Sequence, residues 1–300
     1  IFVALYALLG MHFFMHNQGG SGLYLPFNMV GWAFISVLIS IGIWHLTLAK
    51  QLTFSRTQLW FLAGFTILLL PFMNPLAEWN MFAQPRFLAI AAGLLLFFAL
   101  SQFQFKEQQR HALLYLLLGA VAIEAIFGLI QFFILRDGNW LGYNVKVNRP
   151  YGIFQKDSVF SSFLAAGLAI SLYLQRWDDA VQTSRWRQVL LSVILVATPL
   201  LLVQIQSRAG NYGVILVLLC MLPVLWSYNR RIFWWSVVLL SIALSIGLLV
   251  HTSVRSADSY VLTSGFRKLY WSHLLTMLPQ SPWLGHGYGS FEYTFLHDFY

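Results

Sequence analysis

Runs of apolar residues long enough to cross a membrane recur along the whole chain, and they limit its fold more than any other feature. The runs are about 18 to 25 residues long, which is the length that a helix needs to span a bilayer. Of the 300 residues, 59% are hydrophobic and 9% are charged, which excludes an ordinary soluble domain. Because a spanning segment must bond its own backbone polar groups, these runs predict an all-α polytopic membrane protein.

The hydropathy pattern predicts a bundle of about nine transmembrane helices. Residues 1–251 would form this transmembrane core, and residues 252–300 the start of a large, truncated loop outside the membrane. An amphipathic helix in that loop, with Trp271, Leu274 and Leu275 on one face, is expected to lie at the membrane interface. The predicted spans are 1–14, 29–49, 57–73, 86–105, 111–135, 158–175, 187–206, 210–228 and 232–251.

The basic residues indicate the orientation of the spans. Nine lysines and arginines fall on each predicted side, so their number alone decides nothing. The short loops decide, because the preference for positive charge in the cytoplasm is strongest there. The short loops are therefore expected in the cytoplasm and the remaining loops on the outer face. Because the basic residues are scattered in pairs between apolar runs, they do not favour a nucleic-acid partner. The predicted cytoplasmic charges are Lys50, Arg56, Lys106, Arg110, Arg176, Arg185, Arg187, Arg230 and Arg231.

An isolated arginine, Arg208, lies between two apolar runs in the stretch QSRAGN. Burying it at mid-membrane would cost about 3 kcal/mol, so it is expected in a turn at the interface. A guanidinium group binds phosphate through two parallel donors, which favours an anion site on the outer surface over simple contact with lipid headgroups. Other cations predicted on this face are Arg136, Lys146, Arg149, Lys156, Arg255, Arg267 and Lys268.

Four short motifs occur in order along the predicted outer face. They are R-P-Y-G-x-F-Q from Arg149, S-R-A-G from Ser207, G-F-R-x-x-x-W from Gly265 and G-x-G-x-G-S-F from Gly285. In this order they resemble the bacterial O-antigen ligase superfamily. The stretch NQGGSGLYLPFN, which begins at Asn17, resembles the first outer loop of its protein (pilin-type) O-oligosaccharyltransferases. Since the chain starts without methionine and stops within a polar stretch, we expect a fragment that lacks both ends.

The resemblance implies a protein of the bacterial inner membrane whose active face, including the loop from residue 252, lies in the periplasm. It also implies transfer of a preassembled oligosaccharide from undecaprenyl pyrophosphate to serine or threonine hydroxyls of periplasmic or pilin proteins. The lipid-linked glycan is then a substrate rather than a cofactor, and the other partners are the acceptor protein and membrane lipids. Family arginines that match Arg208 and Arg267 stabilise the pyrophosphate. A histidine base is expected beyond Tyr300, and His297 is the candidate within the chain. The substrate-binding residues that we predict are Arg149, Tyr151, Gln155, Lys156, Ser207 and Lys268.

Two alternatives stay open at this level. A sister ligase or polymerase would pass the glycan to lipid A core or to another glycan. A transporter of lipid-linked sugars or anions would use an acid within a span, for which Glu124 is the candidate. The adjacent acids Asp178 and Asp179 are predicted to be a solvated pair in a cytoplasmic loop, which leaves no metal-binding cluster and favours a metal-independent reaction.

Overall fold

A computed structural model describes residues 26–49, 54–73, 80–135, 157–181 and 183–254, the short stretches 139–140, 143–144, 150–152, 271–272 and 274–276, and residues 52, 154 and 279. The described chain forms eight helices and one antiparallel pair of two-residue strands, β1 (Asn139–Trp140) and β2 (Tyr143–Asn144). The helices are α1 (Pro26–Ala49), α2 (Arg56–Leu69), α3 (Asn80–Ser101), α4 (Glu107–Ile130), α5 (Asp157–Trp177), α6 (Arg185–Ile205), α7 (Arg208–Tyr228) and α8 (Arg230–Val254).

Seven of the described helices are long and apolar enough to cross a membrane. Helix α3 is the exception, since its apolar part is the shorter segment Phe87–Ser101. Each predicted span from 29–49 onward overlaps one of the eight helices. The first predicted span, 1–14, lies outside the described residues, so nine spans remain a prediction. The chain is a multi-pass, helical membrane protein.

The helices fall into two compact units, one with α1–α3 and one with α4–α8. In the α1–α3 unit, Gly42 of α1 lies against Ala99 of α3 so closely that a methyl group on Gly42 would clash. Helix α2 contacts α3 through aromatic pairs, such as Phe61 and Phe97 with ring centroids 5.0 Å apart. A Ser55–Gln58 capping box begins α2.

The core of the α4–α8 unit is made by aliphatic side chains of α4, α5 and α6. Leu118, Phe160 and Leu201 are fully buried there. Gly167 of α5 permits close approach to Val121 of α4, because a side chain at Gly167 would overlap the valine methyl groups. A second apolar cluster joins α5 and α6 to α7 and α8, and its buried members are Leu168, Leu172, Leu195, Leu225 and Leu240.

One end of the α4–α8 unit is held together by a buried carboxylate at the end of α5. Asp178 is 6% exposed, and its Oδ2 accepts from Arg187 Nη1 at 2.6 Å and from Tyr115 Oη at 2.8 Å. The prediction of a solvated pair is therefore wrong for Asp178, because α4 and α6 supply its partners. Asp179 is exposed, as predicted. We call this the basic end; its described cations are Lys106, Arg110, Arg176, Arg185, Arg187, Arg230 and Arg231.

Candidate functional site

The opposite end of the α4–α8 unit brings together two of the four motifs. Helices α4, α6 and α8 finish there, and α5 and α7 begin there. We call it the motif end, defined by Gln131, Gly152, Ser161, Gly210 and His251. Gly152 lies against the ring of Phe160, and Gly210 lies against Ser161, the next residue of α5. Two motif glycines thus pack on consecutive residues of one helix.

The S-R-A-G motif forms the tight turn between α6 and α7. Gln206 ends α6 with a positive φ of 57°, and its N–H donates to the Leu202 carbonyl. Ser207 is buried, and its Oγ caps α7 by accepting from Gly210 N at 3.5 Å. Arg208 follows as the first residue of α7 and is exposed. The capped turn therefore fixes the backbone of Arg208, while the side chain of Arg208 is exposed on the protein surface.

The R-P-Y-G motif contacts α5 through Gly152. Gln131 Oε1 accepts from the backbone N–H groups of Tyr151 (3.1 Å) and Gly152 (2.9 Å), and its Nε2 donates to the Gly152 carbonyl (2.9 Å). Gly152 has a φ of +60°, a conformation that glycine adopts without strain. Phe154 continues the loop along α5, with its ring 5.2 Å from that of Phe163.

Glu124 belongs to this loop contact. It is 2% exposed, and its Oε2 lies 2.6 Å from the position that a Cβ on Gly152 would take. Glu124, Gly128 and Gln131 are spaced i, i+4 and i+7, so they share one face of α4. On that face Gly128 admits the Phe160 ring, whose Cζ would be 2.7 Å from a Cβ there. The Glu124 carboxyl group thus lies beside the R-P-Y-G turn.

At the motif end, two glutamines at the end of α6 contact the C-terminal part of α8. Gln204 Nε2 donates to the Gly247 carbonyl at 2.8 Å, and Gln206 Nε2 lies 3.2 Å from His251 Nε2. Gly247 lets the two helices approach closely, because a Cβ there would be 3.3 Å from Leu200 Cα. His251 is a polar residue of this end that the sequence did not single out.

The predicted site residues are described only in part. Tyr151, Ser207 and Arg208 lie in the two motif segments that meet on α5. Residues 271–272 and 274–276 are helical, in keeping with the predicted amphipathic helix, and Trp271 and Leu275 are 65% and 63% exposed. The convergence of Arg208 with Arg267 stays a prediction. The predicted site residues outside the described part of the chain are Arg149, Gln155, Lys156, Arg267, Lys268 and His297.

Gln131 is a residue of this end that the sequence reasoning missed. The sequence pattern does indicate Gln131, because Glu124 and Gln131 are the two polar members of one helical face in an apolar span.

Within the described residues, no group of three histidine, cysteine, aspartate or glutamate side chains could hold a metal ion. No protein-family model, curated protein or solved structure matches this chain.

The contact of Gly210 with Ser161 gives a direct test of the packing at the motif end. In Gly210→Ala, the new Cβ would lie 2.6 Å from Ser161 Oγ and 3.0 Å from Leu202 Cδ2. We expect the free energy of unfolding in mixed micelles to fall by about 1–3 kcal/mol, as in other overpacked cores. Adding Ser161→Gly should recover part of this loss, because it removes the clashing atoms.

Gly213 of α7 provides the matched control. A Cβ at Gly213 would meet Ala165 Cβ at 3.5 Å, an ordinary contact distance. Gly213→Ala should therefore leave stability unchanged or raise it by up to about 1 kcal/mol through helix propensity. Equal effects of the two glycine substitutions would contradict close packing of the S-R-A-G turn on α5.

Proposed function

We propose that this protein is an inner-membrane glycosyltransferase that moves a preassembled oligosaccharide from undecaprenyl pyrophosphate to hydroxyl groups of periplasmic proteins. The observation that supports it most is the meeting of the R-P-Y-G loop and the S-R-A-G turn on Phe160 and Ser161 of α5. These segments are far apart in the sequence, and the resemblance assigns both to the binding of the lipid-linked donor. Their common location is what a donor site would require.

The chemistry of the motif end suits a lipid-linked sugar donor. Cleavage of the sugar–phosphate bond leaves negative charge on the pyrophosphate, so a positioned arginine lowers the barrier to transfer. Arg208 is exposed at the first turn of α7, and α5 also begins at this end. The positive ends of two helix dipoles therefore add to its charge. A histidine or carboxylate would accept the proton of the incoming hydroxyl.

The distribution of charge supports a periplasmic location for this site. The basic end carries seven of the eight lysines and arginines described in α4–α8, and Arg208 is the eighth. Cytoplasmic loops are enriched in lysine and arginine, so the basic end would face the cytoplasm. In this orientation the motif end faces the periplasm, where acceptor proteins fold. The sequence predicts Arg149, Gln155, Lys156, Arg267 and Lys268 as further donor-binding residues.

The proposal is tested with purified full-length protein in liposomes that contain an undecaprenyl-pyrophosphate-linked glycan. Acceptors are offered separately, a pilin-like protein in one sample and lipid A core in another. We expect glycan on serine or threonine of the pilin-like protein. Modification of lipid A core alone would identify a ligase instead. Movement of the lipid-linked glycan across the bilayer without transfer would overturn the proposal in favour of a transporter.

A further inference from the structure

The side chain of Gln131 bonds the R-P-Y-G turn through both its oxygen and its nitrogen. It is 1% exposed, and its amide makes all three of its hydrogen bonds with the backbone of Tyr151 and Gly152. A turn at the end of a membrane bundle has no regular helix or sheet partner for its backbone groups. Leaving such groups unbonded is costly where water is excluded. Gln131 supplies these bonds and thereby fixes the conformation of the turn.

Local helix geometry at Gln131 is also unusual. Helix α4 ends at Ile130, and a π-helical turn follows over Gln131–Leu135. Turns of this kind are rare, and they occur frequently at functional sites because they redirect side chains away from the regular helical positions. Here the wider turn begins at the residue that holds the loop. The π-helical turn thus starts at Gln131, the residue that bonds the Tyr151–Gly152 turn.

Glu124 and Phe160 also contact the turn. Glu124 Oε2 and Phe160 Cδ2 lie 2.6 Å and 3.1 Å from the position that a Cβ on Gly152 would occupy. Two residues further along the chain, Phe154 packs against Phe163 of α5. Gly152 and Phe154 therefore both contact aromatic residues of α5.

We infer that Gln131 is a positioning residue that holds the Tyr151–Gly152 turn in the conformation that binds the lipid-linked donor. This role rests on the proposed function. Gln131 acts through the loop backbone rather than on the donor itself. Its loss should therefore weaken donor binding more than it slows the transfer step, which raises KM while leaving kcat nearly unchanged.

The matched control is Gln204, another buried glutamine at the same end. Gln204 also donates to a glycine carbonyl, that of Gly247, but it joins α6 to α8. Gln131 and Gln204 are 1% and 0% exposed, so both variants replace a buried, hydrogen-bonded glutamine, with three hydrogen bonds lost in Gln131→Met and one in Gln204→Met. A loss of stability alone would lower the fraction of active protein in both variants, which reduces the maximal rate and not KM.

The first measurement is backbone hydrogen–deuterium exchange, which needs no activity. In Gln131→Met the amides of Tyr151 and Gly152 lose their acceptor, so we expect at least about tenfold faster exchange, equivalent to about 1.4 kcal/mol. Gln204→Met should leave exchange at these two residues unchanged. Unchanged exchange in Gln131→Met would overturn the inference that this side chain holds the turn.

The second measurement is the KM for undecaprenyl-pyrophosphate-linked glycan. We expect an increase of about tenfold in Gln131→Met, equivalent to about 1.4 kcal/mol of donor binding, and none in Gln204→Met. Gly152→Ala displaces the same turn because its Cβ would clash with Glu124 and Phe160, and it should give the same increase, which keeps the test valid if Gln131→Met folds poorly. An unchanged KM with faster exchange would overturn the positioning role. A wild-type protein without transfer activity would overturn the proposed function and this role in it, while the exchange result would still decide whether Gln131 holds the turn.

Discussion

Alanine in place of Arg208 is expected to reduce glycan transfer by about 100- to 1000-fold, the usual effect of removing one positioned group that stabilises developing negative charge. The residue is exposed at the start of α7, and it is the one lysine or arginine of the motif end among the residues described in α4–α8. Arg208→Lys should retain part of the activity, because it keeps the charge but loses the two parallel donors. The measurement is the initial rate of transfer in liposomes.

Arg230 is the matched control for this experiment. It is also an exposed arginine at the first position of a long apolar helix, but it lies at the basic end, with its guanidinium 5.0 Å from the Trp226 ring centroid. Arg230→Ala should transfer glycan within about twofold of wild type, since it touches no part of the motif end. Both variants should insert normally into the membrane. Normal transfer by Arg208→Ala, or an equal loss in both variants, would rule out the proposed role.

Replacement of Asp178 by alanine is expected to give the largest loss of stability. Removing one partner of a buried ion pair typically costs about 3–5 kcal/mol, because the other charge is left without compensation. Arg187 is 26% exposed and can regain some solvent, so we expect about 3 kcal/mol, at the lower end of that range. Tyr115 loses its acceptor in the same variant. The measurement is the free energy of unfolding in mixed micelles.

Asp179→Ala controls for the loss of negative charge in this loop. Asp179 is adjacent in sequence but exposed, so its replacement should change stability by about 0.5 kcal/mol or less. Asp178→Asn should fall between the two, because the amide oxygen can still accept a hydrogen bond but carries no charge. Similar stabilities for Asp178→Ala and Asp179→Ala would show that the contacts of Asp178 do not hold this end together.

The positions of the helices could be predicted from sequence because lipid imposes one strong rule on every span. The boundaries were harder to predict. The span predicted at 86–105 belongs to a helix that runs from Asn80 to Ser101. Hydropathy detects only the apolar part of such a helix, whereas the helical backbone also includes polar residues such as Asn80 and Gln84. The tight turn at Ser207 was predictable, because its turn-forming residues lie within a few positions of one another.

The long-range contacts could not be predicted in the same way. Asp178 and Asp179 look equivalent in sequence, and their difference depends on Tyr115, which is 63 residues away, and on Arg187 of the next helix. The contact of Gly210 with Ser161 depends on how α7 packs on α5, which hydropathy does not encode. Gln131 could in principle have been singled out from its helical spacing relative to Glu124. Its contact with the Tyr151–Gly152 turn could not, because that contact depends on the tertiary structure.

The most direct test of the donor site is the affinity of the full-length protein for undecaprenyl-pyrophosphate-linked glycan in nanodiscs. The variants to compare are wild type, Arg208→Ala and Arg230→Ala, with inorganic pyrophosphate as competitor. If the motif end binds the pyrophosphate, Kd should rise at least about tenfold in Arg208→Ala alone, a loss of about 1.4 kcal/mol, and pyrophosphate should compete with the glycan lipid in wild type. The same Kd in all three proteins would contradict the proposed donor site.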